Sequence, residues 1–332
     1  MKDNEIVLVT GANGHLGNNL VKELLKDGWK VKASVRNIKN KKPFEGLVCE
    51  LVQADMLDKK SLLKAFKGVD TLYHVAAVFK HWARNPEKEI LEANLIGTKN
   101  VLEAAAECGI KKIIYVSSIA ALDFSKTVID ETSWANTSPN MYFKSKNESE
   151  KLAWQLASEL SLNMVSVLPS GMIGPKIFEH LTPSMDLFDK IVHNKLPLDP
   201  QYGINFIHVQ DVAIGIIQAA QKGRIGERYI LGSEFSVNTS DVFRIANSLN
   251  PSVRIPRKAN KGLQLFMAAI MRVTSKLTGN PPLLLKGNIH YYYKNNENLD
   301  IRKAKVELGF NPRKPEVALR ETLEYVAVLT LE

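Results

Sequence analysis

An α/β fold with a doubly wound parallel sheet and a smaller, irregular C-terminal region is the class this 332-residue chain predicts. Three observations predict it. Short apolar runs alternate with helix-period segments through the first half, a glycine turn joins the first run to the first helical segment, and prolines break the rhythm after Pro169.

The first strand is read over Ile6–Val9, and the turn Thr10-Gly11-Ala12-Asn13-Gly14-His15-Leu16-Gly17 follows it. Leu16, Leu20 and Leu24 then recur every four residues, which places them on one helix face. Further strands are read at Val31–Val35, Leu47–Val52, Thr71–Ala76, Lys112–Ser117 and Met164–Leu168. Between them Leu91 to Ala106 reads as a helix with Leu95, Val101, Leu102 and Ala105 as its apolar positions. Past Pro169, prolines at 175, 183, 197 and 200 mark shorter elements. Asn205 to Ala213, an apolar helix to about Ala220 and the run Arg228–Leu231 are expected to return to the main sheet.

Composition sets broad bounds. An apolar fraction of 45% and a charged fraction of 24% suit a chain that buries a core rather than a disordered one. Cys49 and Cys108 lack metal-ligand spacing and are expected to be buried, reduced thiols, in keeping with a cytoplasmic protein. Met-Lys-Asp-Asn-Glu before the first strand leaves no room for a secretory signal, so export is not expected. Leu263 to Val273, interrupted by Gln264 and Arg272, is too short to span a membrane. With Met267 and Met271, the 263–285 stretch reads as a flap over an apolar substrate, a core helix or a membrane-surface contact. The net charge of +9 suits an anionic cofactor; the clusters Lys39–Lys42 and Arg254–Lys261 carry no interleaved aromatic platform, so no nucleic-acid partner is predicted.

A glycine turn between strand and helix lets backbone N–H groups approach a pyrophosphate, and the helix N-terminus favours its charge. Gly11, Gly14 and Gly17, with Asn13, His15 and Leu16 between them, are therefore predicted to cradle a dinucleotide, although the G-x-x-G-x-x-G spacing differs from G-x-G-x-x-G. An acidic residue at the end of the second strand would select NAD. Here stands Arg36, followed by Lys39, Lys41 and Lys42, which can grip a 2′-phosphate, so NADP(H) is predicted over NAD(H).

Tyr142 and Lys146 lie four residues apart and can point together from one helix face. The ammonium is expected to draw the phenol's proton affinity down toward neutrality, and Ser118, at a strand's end, to hydrogen-bond a substrate oxygen. His208 and Asp211 are read as structural ties, and no metal site is predicted.

Over nearly its whole length the chain resembles the extended short-chain dehydrogenase/reductase family. The likeness is carried by Thr10 to Gly17, Ala54-Asp55, His74-Val-Ala-Ala77, Asn94-Leu-Ile-Gly97-Thr98, Tyr115-Val-Ser-Ser118, Tyr142-Phe-Lys-Ser-Lys146 and Phe206-Ile-His-Val-Gln-Asp211. With the change of pattern after Pro169, the chain divides into a Rossmann domain over 1–168 and about 205–231, and a substrate domain over about 169–204 and 232–332. The resemblance implies that Asp55, with Met56, meets adenine, that Ala76, Ala77, Pro169 and Gly171 line the cofactor, that Lys146 holds the nicotinamide ribose, and that Asn94 steadies a relay water.

Within the family the chain is most similar to dihydroflavonol 4-reductases and related aldehyde, cinnamoyl-CoA and 3β-hydroxysteroid enzymes. Val35-Arg36, Asp130-Glu-Thr-Ser-Trp134, Gly174-Pro175 and Lys303 to Arg313 carry that likeness. Ser118-Ile-Ala-Ala-Leu-Asp123 lacks the Tyr-Gly of sugar epimerases and the Thr-Asp-Glu of sugar dehydratases. The resemblance thus implies NADPH-dependent reduction of a carbonyl on an apolar or aromatic small molecule, by a monomer or homodimer. A nucleotide-sugar epimerase or dehydratase with tightly held NAD, and a non-catalytic dinucleotide sensor, are the rival readings.

Overall fold

The computed structural model describes residues 5–175, 181–278 and 281–329. Six strands of its main sheet follow one another along the chain: β1 (Ile6–Thr10), β2 (Lys30–Val35), β3 (Glu50–Gln53), β4 (Thr71–His74), β5 (Lys112–Val116) and β6 (Met164–Pro169). A seventh, Arg228–Leu231, pairs with β6, and the spatial order is Arg228–Leu231, β6, β5, β4, β1, β2, β3, with every pairing parallel.

These strands are apolar almost throughout because helices cover both faces of the sheet. Val7 and Val9 point to one side, where they meet Leu16, Leu20 and Leu24 of α1 (His15–Lys26) and Val212 and Ile216 of a helix over Val209–Lys222. Leu8 points to the other, against Leu62, Val101, Leu102 and Ala153. That second layer consists of α2 (Lys59–Ala65), α3 (Ala93–Glu107) and α4 (Met141–Glu159). A further apolar cluster, holding Ile173, Phe188, Phe206, Phe243 and Leu319, lies apart from both.

The doubly wound parallel sheet is as the sequence predicts, while several element limits differ. The third strand starts at Glu50 rather than Leu47, because the Leu47 and Cys49 N–H groups are spent on the carbonyls of Phe44 and Leu47 in a local turn. The fourth stops at His74, since the N–H groups of Val75 and Ala76 both go to Thr10 Oγ1, each at 3.0 Å. A π-helical turn, Glu87–Glu92, precedes α3. Arg228–Leu231 returns to the main sheet, but Phe206–His208 pairs instead with Gly171–Ile173 in a separate two-stranded sheet. Cys49 and Cys108 are free and only half-buried.

Candidate active site

The strand order reverses between β1 and β4, and open α/β sheets bind ligands at the C-terminal strand ends beside such a reversal. A cleft of about 1410 Å³ opens there. Its near wall brings together Gly11, Asn13, Gly14, His15, Leu16 and Gly17. Arg36, Asp55, Met56, Ala76 and Ala77 continue it, and Ser118, Tyr142, Lys146, Pro169 and Gly171 complete it.

The turn has a steric logic. Gly11 has φ +64°, and a Cβ there would stand 3.0 Å from Ala76 Cα. A Cβ on Gly17 would stand 2.2 Å from the Gly11 carbonyl oxygen, so only glycine lets α1 start this close to β1. Gly14 caps α1 without a side-chain hydrogen bond, which leaves the helix's first N–H groups for a partner at the cleft. The His15 ring belongs to the scaffold: its Nε2–H donates to the Gly174 carbonyl at 2.9 Å, and burial lowers its pKa to about 4. Thr10 Oγ1, having accepted two N–H groups, gives its own proton to His74 Nδ1 at 3.0 Å and so clamps the end of β4 to β1.

Arg36 follows the last residue of β2, exposed, and its guanidinium makes no hydrogen bond or ion pair with any described residue. Asp55 sits just beyond β3, where its Oδ1 accepts the Leu57 N–H at 2.9 Å.

Farther along the cleft, Ser118 follows β5 and its Oγ accepts the Ala120 N–H at 3.1 Å. Tyr142 stands in the first turn of α4, whose N-cap Asn140 accepts the Phe143 N–H at 3.1 Å. Burial pushes the Tyr142 phenol up to about 12, opposed by a hydrogen bond from Ser118. Burial likewise brings Lys146 down to about 8, with the Glu150 carboxylate pulling it back up, while Nζ donates to the Val116 carbonyl at 3.3 Å. The lowering expected from the ammonium is therefore not seen in this chain: burial sets the phenol's proton affinity, opposed by the Ser118 hydrogen bond, and leaves the phenol protonated.

Asn94 lies behind this wall. Its Oδ1 accepts the Val78 N–H at 2.8 Å, and its Nδ2 donates to the Val78 carbonyl and to Ser145 Oγ. A separate cavity of about 10 Å³ lies among Asn94, Lys146, His74 and Ser149.

Other contributors were not singled out in the sequence. Phe79 and His81 pack at a tilt against the Tyr142 ring, with centroids 4.8 and 5.1 Å away, and Tyr291 meets Phe143 at 4.7 Å. Glu150, fully buried, takes a bidentate pair from Arg228 at 2.9 and 3.0 Å and hydrogen bonds from Ser117 and Ser166. Its only sequence signal was its place four residues after Lys146. Two of the polar groups at the largely apolar far end of the cleft, Gln264 and Glu297, are buried. Gln264 spends its Nε2 on the carbonyls of Pro200 and Ala259, which fixes the amide orientation and leaves Oε1 buried with no partner among the described residues. Glu297 is buried beside Tyr291 and Tyr292, and burial raises its pKa to about 7.

His208 and Asp211 stand outside the cleft lining. Asp211 holds Arg313 at 2.9 Å and His208 faces Glu321 at 3.3 Å, a tie between the Val209–Lys222 and Pro315–Ala327 helices. Most of the described part of the 263–285 stretch lies in the Lys261–Thr278 helix, whose Met267 lines the cleft while four large apolar residues face solvent, so it is not a core helix. No helix among the described residues is long and apolar enough to cross a membrane. Nor does any cluster of three or more His, Cys, Asp or Glu among them suit a metal ion.

A dinucleotide-type cradle facing a serine, a phenol and an ammonium on a seven-stranded parallel sheet defines an extended short-chain dehydrogenase/reductase. The chain belongs to the NAD-dependent epimerase/dehydratase family, whose profile matches residues 7–232. It is 30% identical over 273 residues to cinnamoyl-CoA reductase CAD2 of Medicago truncatula, across 76% of this chain and 83% of that one. A putative dihydroflavonol 4-reductase of Synechocystis is 33% identical over 234 residues, across 68% and 67%. The yeast methylglyoxal/isovaleraldehyde reductase Gre2, solved complexed with NADPH, shares the fold at TM-score 0.77 and 23% identity, over 97% of this chain and 98% of that one.

Proposed function

We propose that the protein is an NADPH-dependent reductase of a ketone or aldehyde carried on an apolar or aromatic small molecule, with alcohol oxidation as the reverse. One observation carries this reading: Ser118, Tyr142 and Lys146 line the same cleft as the glycine turn, and the far half of that cleft is apolar and aromatic. The near half fits a dinucleotide, since the cradle at Gly11 and Gly17 is space a Cβ would fill and α1 turns uncapped N–H groups toward it. The unpaired Arg36 is suited to a 2′-phosphate, and Asp55 with Met56 to the adenine end.

Bound NADPH supplies a hydride. Tyr142, protonated at neutral pH, gives its phenolic proton to the carbonyl oxygen, and Ser118 hydrogen-bonds that oxygen as negative charge gathers on it. Lys146, kept charged against burial by the Glu150 carboxylate, would hold the ribose hydroxyls. Asn94, locked to Val78, positions the loop carrying Ala76 and Ala77, and the small cavity beside Lys146 has room for about one relay water. All the cofactor residues except Pro169 and Gly171 fall in 1–168, whereas Gln264, Tyr291 and Glu297 belong to the 232–332 part, which supports a division into domains close to that one.

Calorimetry comparing NADPH with NADH, then a spectrophotometric panel of ketosteroids, flavonoids, aryl aldehydes and UDP-sugars, tests the reading. NADPH should bind at least about tenfold tighter, and Arg36→Asp should erase that preference. Tyr142→Phe should cost about a thousandfold in turnover while cofactor binding persists. NAD retained through purification with no net coenzyme turnover would instead place the protein with the sugar epimerases.

A further inference from the structure

Lysines and arginines occur along the whole chain, but their excess over carboxylates does not. Residues 242–296 hold nine of the 44 Lys and Arg and none of the 35 Asp and Glu, so this segment carries the entire +9 and the remainder balances at 35 of each sign. Of the eight whose side chains are described, Arg244 alone is ion-paired with a described carboxylate, that of Asp241. Arg254, Arg257, Lys258, Arg272, Lys286 and Lys294 are exposed.

The same segment contains the Lys261–Thr278 helix, which is apolar on its outer side. Gln264, Ala268 and Ser275 mark the inward face and are buried. On the opposite side Leu263, Phe266, Ile270 and Val273, spaced three or four apart, are 41%, 65%, 51% and 60% exposed. A helix lying on a protein surface ordinarily turns its charged side outward. Here the outer side is a stripe of large apolar residues, with basic side chains along the same segment.

We propose that this face seats the protein on an anionic lipid bilayer, with the apolar stripe at the acyl boundary and the basic residues among the headgroups. Charge selects this occupant. A two-fold contact through the same face would bring two +9 segments together, which disfavours a second copy. The stripe has a single aromatic, Phe266, and so no stacking platform for a nucleic acid. Met267 and Leu283, from this segment, line the cleft, so its apolar end opens at the membrane, where apolar molecules concentrate. The seat stands apart from the reading of the active site, because vesicle binding needs neither cofactor nor substrate.

Co-sedimentation of the full chain with vesicles tests it. The protein should bind vesicles of equal parts phosphatidylglycerol and phosphatidylcholine, fail to bind pure phosphatidylcholine, and release as salt rises. Phe266→Ser with Ile270→Ser should weaken binding at least about tenfold, and Arg257→Gln or Lys258→Gln roughly fivefold each, with thermal melts unchanged. Three results would each overturn the proposal: equal or no binding to the two vesicle types, variants that bind like the parent, or light scattering that finds a dimer dispersed by Phe266→Ser.

Discussion

Glu297 sits between partners of unequal kind. The Asn205 N–H can only donate, to Oε2 at 2.6 Å, whereas the Tyr291 hydroxyl, which donates to Oε1 at 2.9 Å, can turn and accept. When the carboxyl is neutral its proton therefore resides on Oε1. Burial raises its pKa from 4.5 to about 7 against the pull of those two hydrogen bonds. The folded chain thus binds this proton more tightly than the unfolded chain, so the resulting stability is present below pH 4.5 and is lost as the pH rises to about 7. Glu297→Gln mimics the neutral acid, with its oxygen toward Asn205 and its amide toward Tyr291. Urea unfolding should show this variant gaining on the parent by on the order of 3 kcal/mol across that window. A difference that stays flat with pH would mean the carboxyl keeps its charge in the fold. Tyr142 and Lys146 carry the same lesson: their spacing is legible in the sequence, but the depth at which they are buried, which sets their proton affinities, is not.

At the scale of the element, α4 presents Tyr142, Lys146 and Glu150 at four-residue intervals, so one stripe of the helix descends from the cleft to the buried Arg228. Besides Glu150, the Arg228 guanidinium satisfies the carbonyls of Glu131 and Ser133 and lies 3.7 Å from the Trp134 ring. Through Ser117 and Ser166 the pair also reaches the ends of β5 and the middle of β6, fixing the helix against the strands that deliver Ser118. Removing one partner of such a buried pair leaves an uncompensated charge and costs about 3–5 kcal/mol, whereas replacing both with apolar residues costs far less. Glu150→Leu and Arg228→Met should each lose that much in urea unfolding, and the double variant less than either. Strictly additive losses would show that the two charges do not depend on each other. Half of this arrangement is visible in the sequence, since Glu150 is the next step of the period that joins Tyr142 to Lys146. Arg228, 78 residues away, answers to no local pattern.

For the whole molecule, the cleft lies between the sheet's strand ends and a wall drawn from the Lys261–Thr278 helix, the Lys286–Tyr292 helix and the chain around Glu297. A ligand filling it stabilises every part whose folding builds it. NADPH at a hundredfold excess over its Kd should add about 2.7 kcal/mol to a single calorimetric transition. A second transition indifferent to NADPH would show that the far wall unfolds independently of the cleft. Residues in contiguous stretches determine the parallel sheet, the glycine turn and the order of Ser118, Tyr142 and Lys146, because hydrophobic period and turn chemistry act over a few neighbouring positions. Tertiary structure alone decided where β3 begins, that His74 would clamp to Thr10 across 64 residues and that Glu297 would meet Asn205 across 92. It also decided which side of the Lys261–Thr278 helix was left facing water. Each of these depends on which distant backbone and side-chain groups compete for the same partner or cover the same surface, and that competition is settled only when the chain has closed on itself.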